Sequence, residues 1–270
     1  MKFSYNAIWD YTLALLRAHF PLVVAIAGVF IFLPTLLIGY FFPAPDGSGD
    51  PQSQLNALLT YYKMTWPWQL LDLIVVMIGT LAVLILLLDR MRPTVGGAIV
   101  GALKILPFYL LATLLVGLTL GIAIIVILLP ISVLVLAGAG VVLPAASLAL
   151  FLLFGYVLFG RLSVLAAVMA VEQTMPIGAL RRALEITRGH GWAIFGLVLV
   201  ILMVGGIASL AVGFVVGGLT RLLFDTNLAD FIILLVDSLL NSVLAAFVIL
   251  VTAAIYRVLS GSESTASLFE

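Results

Sequence analysis

Apolar residues fall along this chain in long unbroken runs, without the two-residue alternation of a half-buried strand. Six runs (residues 21–42, 68–88, 105–129, 141–160, 192–218 and 229–256) are long enough to cross a membrane. A helical crossing needs about 20 residues to cover roughly 30 Å of hydrocarbon. The stretch 105–160 holds no charged side chain and is too long for one crossing. Its breakers are Pro130, the Gly138-Ala139-Gly140 cluster and Pro144, which divide it in two. A membrane β-barrel would show strands of about ten residues with alternating polarity. The pattern therefore predicts an all-α, polytopic membrane helical bundle with six transmembrane helices.

Composition enforces that reading. The chain has 270 residues, 64% apolar and 9% charged, with a mean hydropathy of +1.34. Soluble domains carry about 25% charged residues because water must solvate their surface. Water-soluble enzymes, nucleic-acid binders and disordered regions are excluded together. There is no cysteine, so disulfides and thiolate chemistry are absent. Net charge is zero, but its placement is uneven. Lys2, Arg17, Arg90, Arg92, Lys104, Arg161, Arg181, Arg182, Arg188 and Arg257 fall on the side of both termini; Lys63 and Arg221 fall opposite. The positive-inside rule then predicts cytoplasmic termini. The first outer loop carries Asp46 and Asp50, then Tyr61, Tyr62, Trp66 and Trp68, aromatics suited to the headgroup layer. The run 21–42 exceeds a signal-peptide h-region and is retained as a helix.

The stretch before the fifth span, from Pro176 to Arg188, is amphipathic. Ile177, Leu180 and Leu184 share one helical face; Arg181, Glu185 and Arg188 share another. Such a helix lies in the cytoplasmic interface, its arginines toward phosphates. Glu185 can pair with Arg181 or Arg188. A similar layout precedes the third span, from Pro93 to Lys104, with Phe108 four residues on, as Trp192 follows Arg188. Another runs from Asn6 to Arg17 and leads to Phe20. Three units of interfacial helix plus helical hairpin are predicted, at about 5–89, 93–171 and 176–258. They form a single membrane domain over 1–259, with a flexible polar tail over 260–270.

The residues around the third unit are Gly160-Arg161-Leu162, Glu172, Pro176, Ala179-Leu180, and Leu184-x-x-Thr187-Arg188-Gly189-x-Gly191-Trp192, with Ala253-Ala254-Ile255-Tyr256-Arg257 near the end. Their order resembles the bacterial membrane domain associated with some glycerophosphoryl diester phosphodiesterases, and the related YciC-like integral membrane proteins, over roughly 90–258. The resemblance implies a multi-spanning bundle in a bacterial inner membrane, without assigned chemistry; the soluble phosphodiesterase domain is not in this chain. In that family a Pro-Gly turn closely precedes the arginine. Here Pro130 is followed by Ile131 and a further apolar stretch. The fourth helix either ends at Gly160 or continues to Glu172.

Candidate chemistry is sparse. His19 and His190 sit at span boundaries without a second ligand at metal spacing. No G-x-S-x-G or Walker motif occurs, and no cofactor or catalytic residue is implied. Gly205, Ser209, Gly213 and Gly217 recur every four residues and form a small-residue stripe for helix packing, with Gly117-x-x-x-Gly121 as a receiving surface. Asp237 lies inside the sixth span, with Asn241 one turn deeper and Ser238 and Ser242 at the same offset. An acid there costs about 2.5–3.5 kcal/mol on insertion scales and marks a candidate polar site. It serves transport, donates a structural hydrogen bond, or reaches the outer interface. Asp72 is read as interfacial. Arg161, Arg181, Arg182 and Arg188 are candidate lipid-headgroup contacts. Two functions compete: a non-enzymatic structural, anchoring or assembly module, and a transporter or lipid-handling protein with a path near Asp237 and Asn241. The expected partners are anionic lipids on the cytoplasmic side and a membrane-protein partner or second copy, with no nucleic acid.

Overall fold

A computed structural model describes residues 4–43, 45, 50–89, 94–136, 142–172 and 174–266. Among these, all regular structure is helical. Helix α1 (Tyr5–Ala27) passes through a π-helical segment, Gly28–Phe32, into α2 (Leu33–Phe41). Then follow α3 (Pro51–Leu88), α4 (Val95–Leu136) and α5 (Val142–Gly155), which runs into a second π-helical segment, Tyr156–Arg161. The remainder is α6 (Leu165–Glu172), α7 (Pro176–Ile186), α8 (Gly191–Leu223) and α9 (Thr226–Ala266). Among the described residues, six helical stretches are long and apolar enough to cross a membrane. The chain is built as a multi-pass membrane protein.

Several boundaries differ from those expected. Helix α3 starts at Pro51, not near residue 68. Asp50 caps it, its carboxylate accepting from the Ser53 N–H at 3.2 Å, and Pro51 occupies the first turn, where a missing N–H costs nothing. These bonds from Ser53 hold the Asp50 carboxyl below its ordinary range. At 38 residues and about 1.5 Å each, α3 is roughly 57 Å long and projects beyond the hydrocarbon. Tyr61, Tyr62, Trp66 and Trp68 thus stand on a helix rather than in a loop. Pro130 does not end the third span, because α4 continues to Leu136; a proline is tolerated within membrane helices. The Gly138-Ala139-Gly140 cluster lies outside the described residues, as do Asp46, Arg90 and Arg92. The fourth crossing leaves its helix at Arg161, turns over 162–164 and resumes as α6 to Glu172. Helix α9 reaches Ala266, into the segment read as a tail.

The buried core is concentrated at one end. Leu81–Leu88 of α3, residues 164–170 at α6 and residues 249–251 and 253–256 of α9 are buried side by side. Around them pack three helical stretches with the same burial spacing. These are Ile8, Thr12 and Leu15 in α1, Ala98, Ala102 and Ile105 in α4, and Ala179, Ala183 and Ile186 in α7. Each set follows i, i+4, i+7, one face of a helix. Helix α1 packs mainly on α9, α4 on α3 and α7 on α6. Only α7 is separated from its span by a turn; the other two stretches run on without a break. Arg257 ties this end together. It donates to the Leu87 carbonyl at 2.8 Å and to the Tyr11 hydroxyl at 3.3 Å. The first turns of α1 and the C-terminal part of α9 therefore lie at the same end of the bundle.

Candidate functional site

The residues at 160–161 and 184–192 converge on one joint, where the second π-helical segment meets the turn between α7 and α8. Arg161 is half-buried and donates to the carbonyls of Leu184 at 3.0 Å and Thr187 at 3.2 Å. Leu184 is in the last turn of α7, whose carbonyls lack an intrahelical donor. The Thr187 carbonyl also accepts from the His190 N–H at 3.1 Å. A cation there meets the negative end of the helix dipole. Thr187 returns the contact, its hydroxyl donating to the Arg161 carbonyl at 3.0 Å, and is fully buried. Gly189 turns the chain at φ +82°, in the left-handed region where a side chain is strained. Gly160 and Gly191 bring two backbones together: a Cβ on Gly160 would stand 2.6 Å from the Gly191 carbonyl oxygen. Tyr156 stacks on Trp192 with centroids 4.4 Å apart. Arg161 thus caps the end of α7. Its fork is spent on backbone acceptors.

Helix α7 has three faces. The alanine face, Ala179 and Ala183, is fully buried against the bundle. Ile177 and Leu184 are exposed beside half-buried Leu180, as an apolar strip. Arg181 and Arg188 flank that strip, exposed and without an ion pair among the described residues. Arg182 is different. It pairs with Glu172 at 3.5 Å and with Glu185 at 3.7 Å, while Tyr256 donates to Glu172 at 3.1 Å. Glu185 therefore pairs with Arg182, not with Arg181 or Arg188. Of the four arginines read as lipid contacts, the structure leaves Arg181 and Arg188 available.

No family model, curated protein or solved structure matches this chain.

The polar group on α9 divides between two faces. Ser238 and Ser242 are buried, and Ser242 donates to the Ala27 carbonyl at 3.5 Å. Asp237 and Asn241 are exposed. The four residues do not form one site, because consecutive residues point about 100° apart on a helix. Asp237 and the fully buried Ile255 are separated by a whole number of turns and share a face. That face of α9 is packed at the core end and open at the other.

The small-residue stripe on α8 is likewise broken up. Gly205 meets the Leu244 side chain of α9, Gly217 has only the Ile233 methyl at 3.8 Å, and Gly213 faces open space. Ser209 lines a shallow cleft between α8 and α9. Gly205 and Gly217 both meet α9, whereas Gly213 between them meets nothing within 4 Å. Gly117 and Gly121 receive no helix; they line a cleft between α4, α5 and α6. Gly205→Leu should therefore lower detergent-solubilised thermal stability, and Gly213→Leu should leave it nearly unchanged. Equal losses from both substitutions would show that the four positions act as one packing face.

Proposed function

We propose that this protein is a non-enzymatic structural or assembly module of a bacterial inner membrane, with the core end of the bundle in the cytoplasm. Asp237 and Asn241 carry the reading. They are polar groups on the open face of an apolar helix, with no hydrogen-bond partner among the described residues. Leaving them in hydrocarbon costs several kcal/mol, and a polar group on a partner helix or a second copy relieves it. The polar residues at the core end are used for joining helices: Arg161, Glu172, Arg182, Tyr256 and Arg257 all bond within the chain.

The cytoplasmic assignment rests on the basic residues gathered at that end. The three-unit organisation is supported by the common burial spacing of α1, α4 and α7, each packed mainly on the helix that closes the neighbouring unit. The likeness to the phosphodiesterase-associated membrane domain and YciC-like proteins rests partly on residues that meet at the Arg161 joint, Gly160, Arg161, Leu184, Thr187 and Gly191 among them. A second reading, transport or lipid handling, is favoured by the same open face of α9 if solute or lipid, rather than protein, fills it.

Extraction from native membranes in mild detergent, followed by intact-complex mass spectrometry, tests the proposal. The expected species is an oligomer or a stoichiometric complex with another membrane protein, carrying anionic lipid. Replacing Arg181 and Arg188 by Gln should reduce that lipid, since each basic residue near an anionic surface contributes about 1 kcal/mol. A bare monomer carrying a bound solute would favour the transport reading. Equal lipid in the double variant would remove α7 as the headgroup contact.

A further inference from the structure

Helices α2 and α3 diverge around a crevice of about 670 Å³. Its walls are aliphatic and aromatic, among them Leu37, Phe41, Leu71 and Val75, and the stacked rings of Phe42 and Trp68, 5.9 Å apart, stand on its lining. Asp72 is the charged residue among those lining it. Its Oδ1 is shut away from solvent and has no hydrogen-bond partner among the described residues. The neighbouring polar groups are engaged elsewhere: Tyr61 donates to the Phe42 carbonyl and Gln69 to the Thr65 hydroxyl. Asp72 lies sixteen residues before Leu88, roughly 24 Å along α3. Counting from the core end, it is near the outer edge of a hydrocarbon layer of about 30 Å, level with the aromatic belt.

A buried carboxyl oxygen without a donor is costly, and a native fold retains one where something satisfies it. A divalent metal ion requires several oxygen ligands, and this crevice supplies one carboxylate. An anion is repelled by the Asp72 carboxylate, and a purely apolar molecule leaves that charge without a counter-charge. An organic cation meets each feature: its charge faces Asp72, its edge the Phe42–Trp68 rings, and its apolar part the aliphatic walls. We propose that this crevice binds an amphiphilic organic cation, with Asp72 as counter-ion. The ammonium of a lipid headgroup and a soluble lipophilic cation share this chemistry. The site is independent of the assembly face on α9.

The test uses the full chain in phosphatidylglycerol nanodiscs and labelled tetraphenylphosphonium as probe, with empty discs as background. Saturable binding is expected, not displaced by uncharged triphenylphosphine oxide. A folded Asp72→Asn variant should bind at least about tenfold more weakly, and Trp68→Leu about fivefold. If Asp72→Asn does not fold, Asp72→Glu should retain binding and Trp68→Leu should still weaken it. Adding phosphatidylethanolamine separates the sources. Competition by that lipid identifies a headgroup as occupant, and its absence identifies a soluble cation. No saturable binding above empty discs, or unchanged affinity in a folded Asp72→Asn or Trp68→Leu variant, overturns the proposal.

Discussion

Gly160→Val should lower the melting temperature of the detergent-solubilised protein by about 6 °C. A Cβ at position 160 would approach the Gly191 carbonyl oxygen to 2.6 Å, and that oxygen belongs to the backbone at the start of α8. It cannot rotate away as a side chain can. Either the π-helical segment moves off α8 or the Arg161–Thr187 contacts open. Overpacking of this kind typically costs about 1–3 kcal/mol, and a chain of this size loses about 2–4 °C for each kcal/mol. Gly196→Val serves as the control, because a Cβ there meets nothing within 4 Å. If both variants melt together, the two backbones are not in contact.

Arg161→Ala should cost about 2 kcal/mol. Hydrogen bonds to a charged group contribute about 1.5–3 kcal/mol each, reduced here because the guanidinium is only partly buried. Removing it leaves the Leu184 and Thr187 carbonyls without this donor, while the Thr187 hydroxyl keeps the Arg161 backbone carbonyl as acceptor. Lysine should recover only part of the loss, since an ammonium lacks the planar fork that reaches both carbonyls. A double-mutant cycle with Thr187→Val should show coupling, because each side chain holds the other's backbone carbonyl and losing either bond loosens the shared joint. Strict additivity would mean that the two bonds hold the joint independently.

The sequence makes part of this architecture legible. Lipid as solvent imposes long apolar runs on every crossing, so the six spans are readable without a structure. Helix ends outside the lipid obey other rules. The 51–67 stretch of α3 is too polar to register as a span, although Asp50-Pro51 is an N-cap followed by a first-turn proline, a start signal that hydropathy does not weigh. Arg161 was out of reach for a different reason. Its acceptors are backbone carbonyls, which every residue has, 23 and 26 positions away. Asp237 and Ser238 are neighbours along the chain, whereas helical rotation puts one outside and the other inside. Asp72 is placed near the outer boundary by its position in the sequence; that its Oδ1 is buried without a donor is visible only once α2 lies beside α3.

The central claim is that the open face of α9 is covered by protein. Site-directed photocrosslinking from position 241 in native membranes tests it most directly. A photoreactive residue replacing Asn241 should yield one discrete protein–protein product, a dimer of this chain or an adduct with a single partner. The same residue at Gly213, which faces open space on α8, should give lipid adducts only. Lipid or solute adducts alone from position 241 would contradict the account.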